Sequence, residues 1–479
     1  MAQALVQHPR EPVRVVSPAR GLPSRSWVAY HRRVQLTRWF SHPARVIPTA
    51  YLAAIGAGTS LLMVPAATSA NSSPALIDAA FTATSAICIT GLTTVDTQTF
   101  WSPFGQVVIL VLVQVGGFGI VTVASFLTLI ATGRISLQGS LMAGRELHQE
   151  NLSETLRLPV RIGLVMLVAE GLTAAALALG FRRYTDGWGD AVWHGVFHAV
   201  SAFNNAGFAL FSDNLIGFIG DPFIILPICA AIVVGGVGVP VLTELRHTLR
   251  TRGASHWTAH TRLTVYGTLI LLGLGVAGFA LFEWNNPNTL GPLTLGGKFL
   301  GAIGGGVFPR TAGFNNIDYG VASESTLGMT YILMFIGGGS VGTAGGVKVG
   351  TVGIIIAAVV AELRGEDQVL VAHRAIPTVV QRSAMAVILL GVVTVGIATS
   401  LIVAYEPFTL QQVLFETISA FGTVGLTTGI TSDLSPGSLS VLMLLMYLGR
   451  VGTISVATAL AIRPRHRRFR LPEEQPIVG

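Results

Sequence analysis

Four glycines, Gly91, Gly207, Gly313 and Gly425, each sit among small or hydroxylated residues, with an apolar stretch before and another after. In three copies the lead-in agrees residue for residue: Phe81, Ser85 and Ala86; Phe197, Ser201 and Ala202; Phe415, Ser419 and Ala420. The third copy, Pro309-Arg310-Thr311-Ala312-Gly313-Phe314, keeps the glycine and loses the Ser-Ala pair. A G-x-x-G pair follows each: Gly116 to Gly119, Gly235 to Gly238, Gly339 to Gly342 and Gly449 to Gly452. Their first members lie 25, 28, 26 and 24 residues beyond the repeat glycine. Two marks kept at a nearly constant offset four times define an internal repeat, and four copies imply pseudo-fourfold symmetry about a single axis. The chemistry such segments offer is that of their backbone. Consecutive carbonyls can point the same way only where some residues adopt φ > 0, which glycine tolerates. Four loops facing one axis could then replace a cation's hydration shell with carbonyl oxygens. The G-x-x-G pairs read mainly as points of close helix approach.

The elements that must hold these loops belong to a membrane. The chain of 479 residues is 51% hydrophobic and only 11% charged, against about 25% for an ordinary soluble domain. Residues 97–133, 222–243, 263–282 and 383–405 carry no charge, and an apolar run of about 18 residues is long enough to cross a bilayer. Each repeat reads as helix, half-helix, glycine loop, helix. The outer spans are 46–66 and 104–130, 157–180 and 221–243, 262–283 and 326–361, 383–404 and 437–462. The segments 76–88, 191–203, 297–308 and 410–421 are too short to span and read as re-entrant half-helices. Irregular backbone at that depth is tolerated only where it is buried in protein or lines a wet cavity. The half-helices would also aim their negative C-terminal ends at a cation on the axis. The fold expected is therefore all-α and polytopic: four membrane-pore-membrane repeats with pseudo-fourfold symmetry around one cation pore. Their bounds are 46–133, 157–243, 262–361 with a broken second helix, and 377–462, between tails at 1–45 and 463–479.

Charge sets the orientation. Residues 1–45 hold eight arginines and one acid, and Arg463 to Glu474 hold five arginines and two acids. Basic flanks stay in the cytoplasm, so both termini and the Arg-rich segments 134–161, 244–262 and 362–382 are expected on that side. The N-terminal arginines are spread among Pro, Ser and Val and lead straight into a span, which argues against a nucleic-acid arm. They also precede no short apolar core with a cleavage site, so a removable signal is not expected. Cys88 and Cys229 lie in apolar segments and form no disulfide framework or zinc motif.

Ile89-Thr90-Gly91-Leu92-Thr93, Asn204-Asn205-Ala206-Gly207-Phe208, Pro309 to Phe314, and Gly422-Thr423-Val424-Gly425-Leu426-Thr427 resemble the four selectivity-filter loops of the Trk/Ktr/HKT superfamily of potassium transporters. The resemblance covers about residues 46–462 and is strongest to the KtrB branch, since no additional pair of spans precedes the first repeat. It implies a filter of Thr90, Gly91, Asn205, Ala206, Gly207, Thr311, Ala312, Gly313, Thr423, Val424 and Gly425, with K+ held at the four glycines. It implies potassium uptake across the cytoplasmic membrane, because some plant relatives with serine at the position of Gly91 prefer sodium and this chain has glycine in all four. It also implies a homodimer on a cytosolic, KtrA-like ring of nucleotide-binding regulatory subunits. Sodium or proton coupling stays open.

Residues Gly337 to Lys348 interrupt an otherwise apolar span, and so many glycines cannot persist in a helix at about 1 kcal/mol each. The resemblance makes Gly337, Gly338, Gly339, Ser340, Gly342, Thr343, Gly345, Gly346 and Lys348 an intramembrane gate below the filter. Arg450, between Gly449 and Gly452, would project there as a fixed positive charge, tie the gate, or bond backbone carbonyls. Arg310, beside the third loop, is expected to satisfy loop carbonyls rather than face the ion. Glu170, inside a span, could pair with Arg450 or line an outer vestibule. Asp96, Asp213, Asp318 and Asp433 follow the four loops and could form a cation-attracting ring or serve as turn residues. His194 and His198 could hold a metal but lack a third ligand. A polytopic membrane enzyme would need a cluster of titratable groups at one depth, which the sequence does not show. A non-conducting scaffold would not need four intact glycine loops.

Overall fold

The computed structural model describes residues 43–119, 152–251, 257–340 and 342–452. The chain divides into two units, 1–46 and 47–479, and of the first only the helical backbone at 43–46 is described. Residues 1–42 of the expected N-terminal tail, the C-terminal tail, and parts of the spans 104–130 and 437–462 lie outside the described residues, while 43–45 already belong to the first helix.

The outer helices are α1 (Pro43–Leu62), α4 (Leu152–Phe181), α8 (Ala259–Glu283) and α12 (Thr378–Tyr405). Residues 160–181 of α4, with α8 and α12, are long and apolar enough to cross a membrane. Large apolar side chains such as Leu164, Leu172, Leu389 and Ile397 point outward on them, exposed as lipid contact requires. The half-helices are α2 (Leu76–Cys88), α5 (Trp188–Phe203), α9 (Leu295–Val307) and α13 (Leu410–Gly422), each 13 to 16 residues long. Their N-termini are fixed locally. Thr294 accepts from Gly297 N, a Thr409–Gln412 capping box opens α13, and Asp78 and Asp190 lie in the first turns of α2 and α5.

The inner helices are α3 (Pro103–Phe118), α6 (Pro222–Val237), α10 (Glu324–Phe335) and α14 (Pro436–Tyr447). All four begin alike. Ser102, Asp221, Ser323 and Ser435 are N-caps whose side chains accept a backbone N–H of the first turn, and in three of them proline follows directly. Their ends differ, and a break is not confined to the third repeat, where the sequence places one. Gly119 (φ 81°) and Gly238 (φ 91°), the second glycines of their G-x-x-G pairs, stop α3 and α6 because a positive φ cannot continue a right-handed helix. Beyond Gly238 the chain resumes as α7 (Val239–Thr251), bent 99° from α6. In the third repeat the break runs from Ile336 to Lys348, and α11 (Val349–Leu363) follows. In the fourth, the pair lies in a π-helical segment, Leu448–Gly452. Among the described residues the one sheet is a hairpin of Leu370–Val371 and Arg374–Ala375.

The repeats close on themselves. Inner helix α3 packs on half-helix α5 of the next repeat, α6 on α9, α10 on α13, and α14 on α2 of the first. Phe81, Phe197 and Phe415 of the repeat motif are fully buried; Cys88 and Cys229 are buried and remain free.

Candidate functional site

Each half-helix ends by turning its backbone twice. Ile89, Asn205, Thr311 and Thr423 have φ between 48° and 63°, and the glycine two residues on has φ between 72° and 101°. Between them, Thr90, Ala206, Ala312 and Val424 keep ordinary dihedrals. Bonds back to the half-helix hold the turn. Ser85, Ser201 and Ser419 accept, through their backbone carbonyls, the N–H of Thr90, Ala206 and Val424 at 2.8 Å. The Ser85 and Ser419 hydroxyls also accept the N–H of Gly91 and Gly425 at 3.0 Å. In the third repeat Val307 replaces the serine, and Ala312 N donates instead to Phe308 O at 3.1 Å.

The four loops meet. A Cβ on Gly91 would lie 2.3 Å from the Ala206 carbonyl oxygen, on Gly207 2.9 Å from that of Ala312, on Gly313 2.4 Å from that of Val424, and on Gly425 2.1 Å from that of Thr90. The contacts run from repeat one to two, three and four and back to one. No side chain fits at any of the four glycines, and the carbonyls beside them gather around a shared centre. All the sequence-derived loop residues fall in this ring. Ile89, which that reading passed over, joins Asn205, Thr311 and Thr423 as the first left-handed residue; counting back two from the glycine would have found it.

The first glycines of G-x-x-G bring inner helices against the carboxyl ends of the half-helices. A Cβ on Gly116, Gly235 or Gly449 would lie 2.2, 1.9 and 1.9 Å from the carbonyl oxygens of Ile87, Phe203 and Phe421. Close approach is therefore what those glycines provide.

The glycine-rich segment of the third repeat lies across these same carboxyl ends. Gly337 N donates to Val347 O at 2.8 Å and closes its base. Gly339 N and Thr343 N donate to Gly236 O and Gly235 O, and Thr343 Oγ1 to Phe203 O at 3.1 Å. A Cβ on Gly345 would lie 1.8 Å from Thr423 Oγ1. Lys348 Nζ donates to Ala344 O inside the segment. Val341 is outside the described residues. Two buried arginines hold the segment from either side. Arg450 donates to Thr343 O at 2.5 Å and to Gly116 O at 3.0 Å, and Arg310 to Gly337 O at 3.1 Å and to Thr268 O at 3.3 Å. Both guanidiniums bond backbone carbonyls, and each has one on the glycine segment.

Glu170 neither pairs with Arg450 nor faces a vestibule. It is buried, accepting from Gln114 Nε2 and Asn204 Nδ2 at 3.0 Å each, because the amides at the end of α5 and in α3 are nearer than any cation. The acids past the loops bond nearby turns, and Asp96 also accepts from the Ser212 hydroxyl of the second repeat. Asp96 accepts from Gln98 N, Asp213 from Gly217 N and Asp318 from Gly320 N, at 2.8 to 2.9 Å; Asp433 lies exposed beside Ser432. His198 is bound by backbone on both ring nitrogens, and His194 stacks on Phe211 with centroids 4.7 Å apart. Among the described residues no group of His, Cys, Asp or Glu fits a metal ion.

The profile of TrkH, described as a cation transport protein, matches residues 26–471. The chain belongs to the TrkH family. Ktr system potassium uptake protein B of Bacillus subtilis is 36% identical over 440 residues, 91% of this chain and 97% of that one. The protein of the same name from Vibrio alginolyticus is 35% identical over 438 residues, 91% and 94% of the two chains. Potassium/sodium uptake protein NtpJ of Enterococcus hirae is 34% identical over 445 residues, 91% and 97%. The crystal structure of the potassium transporter TrkH from Vibrio parahaemolyticus superposes with a TM-score of 0.66 at 16% identity, covering 88% of this chain and 84% of that one, a likeness of fold. This TrkH-family chain is thus an all-α polytopic membrane protein of four membrane-pore-membrane repeats, a transport protein and not an enzyme.

Proposed function

We propose that this chain takes up potassium across the cytoplasmic membrane as the translocating subunit of a Ktr-type system. The observation that carries the reading is the closed ring of four loops, in which the carbonyls of Thr90, Ala206, Ala312 and Val424 lie against the neighbouring glycines. Such a ring substitutes for the water around a monovalent cation. The names of the B. subtilis and V. alginolyticus relatives support potassium as the ion.

In this reading the filter comprises the eleven residues from Thr90 to Val424 and Gly425 given above, with Ile89 added. The gate is the segment from Gly337 to Lys348, held shut by Arg450 and Arg310. Repeats run over 46–133, 157–243, 262–361 and 377–462, and the Arg-rich tails lie in the cytoplasm. A second copy of the chain and a cytosolic ring of nucleotide-binding subunits complete the system; the relatives' names as Ktr system proteins fit such a multi-component assembly. Sodium is the candidate coupling ion, consistent with the potassium/sodium name of the E. hirae relative.

Expression in a host lacking its own potassium uptake is the test. Growth on low potassium with concentrative uptake is the expected result, and no rescue despite normal membrane expression would sink the reading.

A further inference from the structure

Three residues past each repeat glycine stand Thr94, Leu210, Asn316 and Thr428, and nine before it stand Thr82, His198, Gly304 and Glu416. In the fourth repeat Glu416 Oε1 accepts from the Thr428 N–H at 3.0 Å and the Thr427 hydroxyl at 2.5 Å, and Oε2 accepts from the Thr431 hydroxyl at 2.8 Å. In the second, His198 Nε2 accepts from the Leu210 N–H at 3.3 Å. Its Nδ1 lies 2.8 Å from His194 O, which fixes the neutral ring with the proton on Nδ1. The third repeat inverts the pair. Gly304 has no side chain, and the Asn316 amide fills that space, where a Cβ on Gly304 would lie 2.4 Å from Nδ2, and donates to Gly301 O at 3.0 Å. In the first, Thr94 Oγ1 donates to Asp78 Oδ1 at 2.7 Å, one helical turn before the equivalent position.

Four differently built contacts, each using at least one side chain, thus make one connection, from the half-helix to the segment that leaves its loop. The sites of the second and fourth repeats are dry: Glu416 is 1% exposed, His198 0%, Leu210 1% and Thr428 9%. Without these acceptors the Leu210 and Thr428 N–H groups would be buried orphans. Resting on the potassium-filter reading, we propose that these bonds are struts that set the spacing of the carbonyl ring, and that His198 and Glu416 are positioning residues for ion discrimination. The loop between half-helix and strut is only a dozen residues from end to end, so a segment released at its third residue past the glycine shifts the carbonyls beside that glycine. Both residues act as acceptors in their deprotonated forms, and a side chain of equal size without an acceptor cannot replace them.

The test is the potassium-to-sodium flux ratio of purified protein in liposomes. Glu416→Leu and His198→Leu are expected to lower the ratio roughly five- to tenfold, the scale of one net hydrogen bond. His198→Gln and Glu416→Gln, which keep an acceptor oxygen, should recover most of it. A role confined to packing would lower the yield of folded protein and leave the ratio of the folded fraction unchanged. Should the leucine variants not assemble, Thr431→Val removes the Oε2 donor and its bond to Thr427 while leaving the Thr428 bond to Glu416 in place, and its ratio should fall in the same direction by less. An unchanged ratio in the folded variants of a selective protein overturns the struts alone. A wild-type protein without discrimination overturns the filter reading and the struts with it.

Discussion

Gly425 has a φ of 101°, and a Cβ there would lie 2.1 Å from the Thr90 carbonyl oxygen. Gly207 has a φ of 72°, and its Cβ would lie 2.6 Å from Gly313 Cα. A side chain at either must displace the adjoining loop and also bear a dihedral that costs about 1 kcal/mol or more. Gly207→Ser and Gly425→Ser are therefore expected to reduce the preference for potassium over sodium by about tenfold, or ~1.4 kcal/mol. Relative permeability of the two ions is the measurement, and an unchanged value in assembled protein would remove the glycines from the account. Arg450 works differently, since its two bonds join Thr343 of the glycine segment to Gly116 of the first repeat. Arg450→Ala unties that pair and removes a positive charge, and both effects should raise basal flux without unfolding the protein. Arg450→Lys should fall between, because one ammonium cannot reproduce the guanidinium fork that reaches both carbonyls. Tracer uptake by the three proteins at matched expression checks the order, and wild-type kinetics in Arg450→Ala would take away its role.

The segment from Ile336 to Lys348 owes its position to a handful of backbone hydrogen bonds and two guanidiniums. Each such bond contributes about 1 kcal/mol net, and in the proposed gate reading these bonds and the burial of Ala344 and Val347 must be given up together for the segment to leave its seat. Shortening Gly337 to Gly346 should raise basal flux, and slower tracer transport would count against a gate. This break was legible in the sequence because glycine density is a local property, and so were the half-helices, which announce themselves by length and by the repeated glycine. The caps of the inner helices are equally legible in Ser102-Pro103, Asp221-Pro222 and Ser435-Pro436. What could not be read depends on neighbours far along the chain. Gly119 and Gly238 look like packing glycines until their φ is known. One of the two partners of Arg450, Gly116, lies 334 residues away. Glu170 finds two amides, from α3 and from the end of α5, that no spacing would select.

Symmetry holds the molecule together, and its departures are concentrated in one quadrant. Every inner helix packs on the next half-helix, so the ring has no free edge. The third repeat alone lacks the motif serine, inverts the strut and unwinds into the glycine segment, which makes it the quadrant least tied to its own loop. Carboxylates at the ends of two outer helices fasten those helices to the ring. Glu283 accepts from Ser323 N and Thr326 Oγ1 at the start of α10, and Glu406, one residue beyond α12, accepts from Ser435 N at 2.9 Å and Ser438 Oγ at 2.6 Å at the start of α14. The bonds from Ser435 and Ser438 hold the Glu406 carboxyl below its usual value of 4.5. A folded-state value lowered in this way favours the folded protein above the unfolded value and loses that contribution as pH falls through the lowered one. Because the group is half-exposed, the contribution at neutral pH is about 1 kcal/mol or less. Glu406→Gln should therefore melt slightly below the wild type at pH 7 in detergent, and the two curves should converge as the buffer is taken below the usual carboxylate range. A gap that stayed constant into acid would mean that packing of the side chain, and not its charge, fastens α12 to α14.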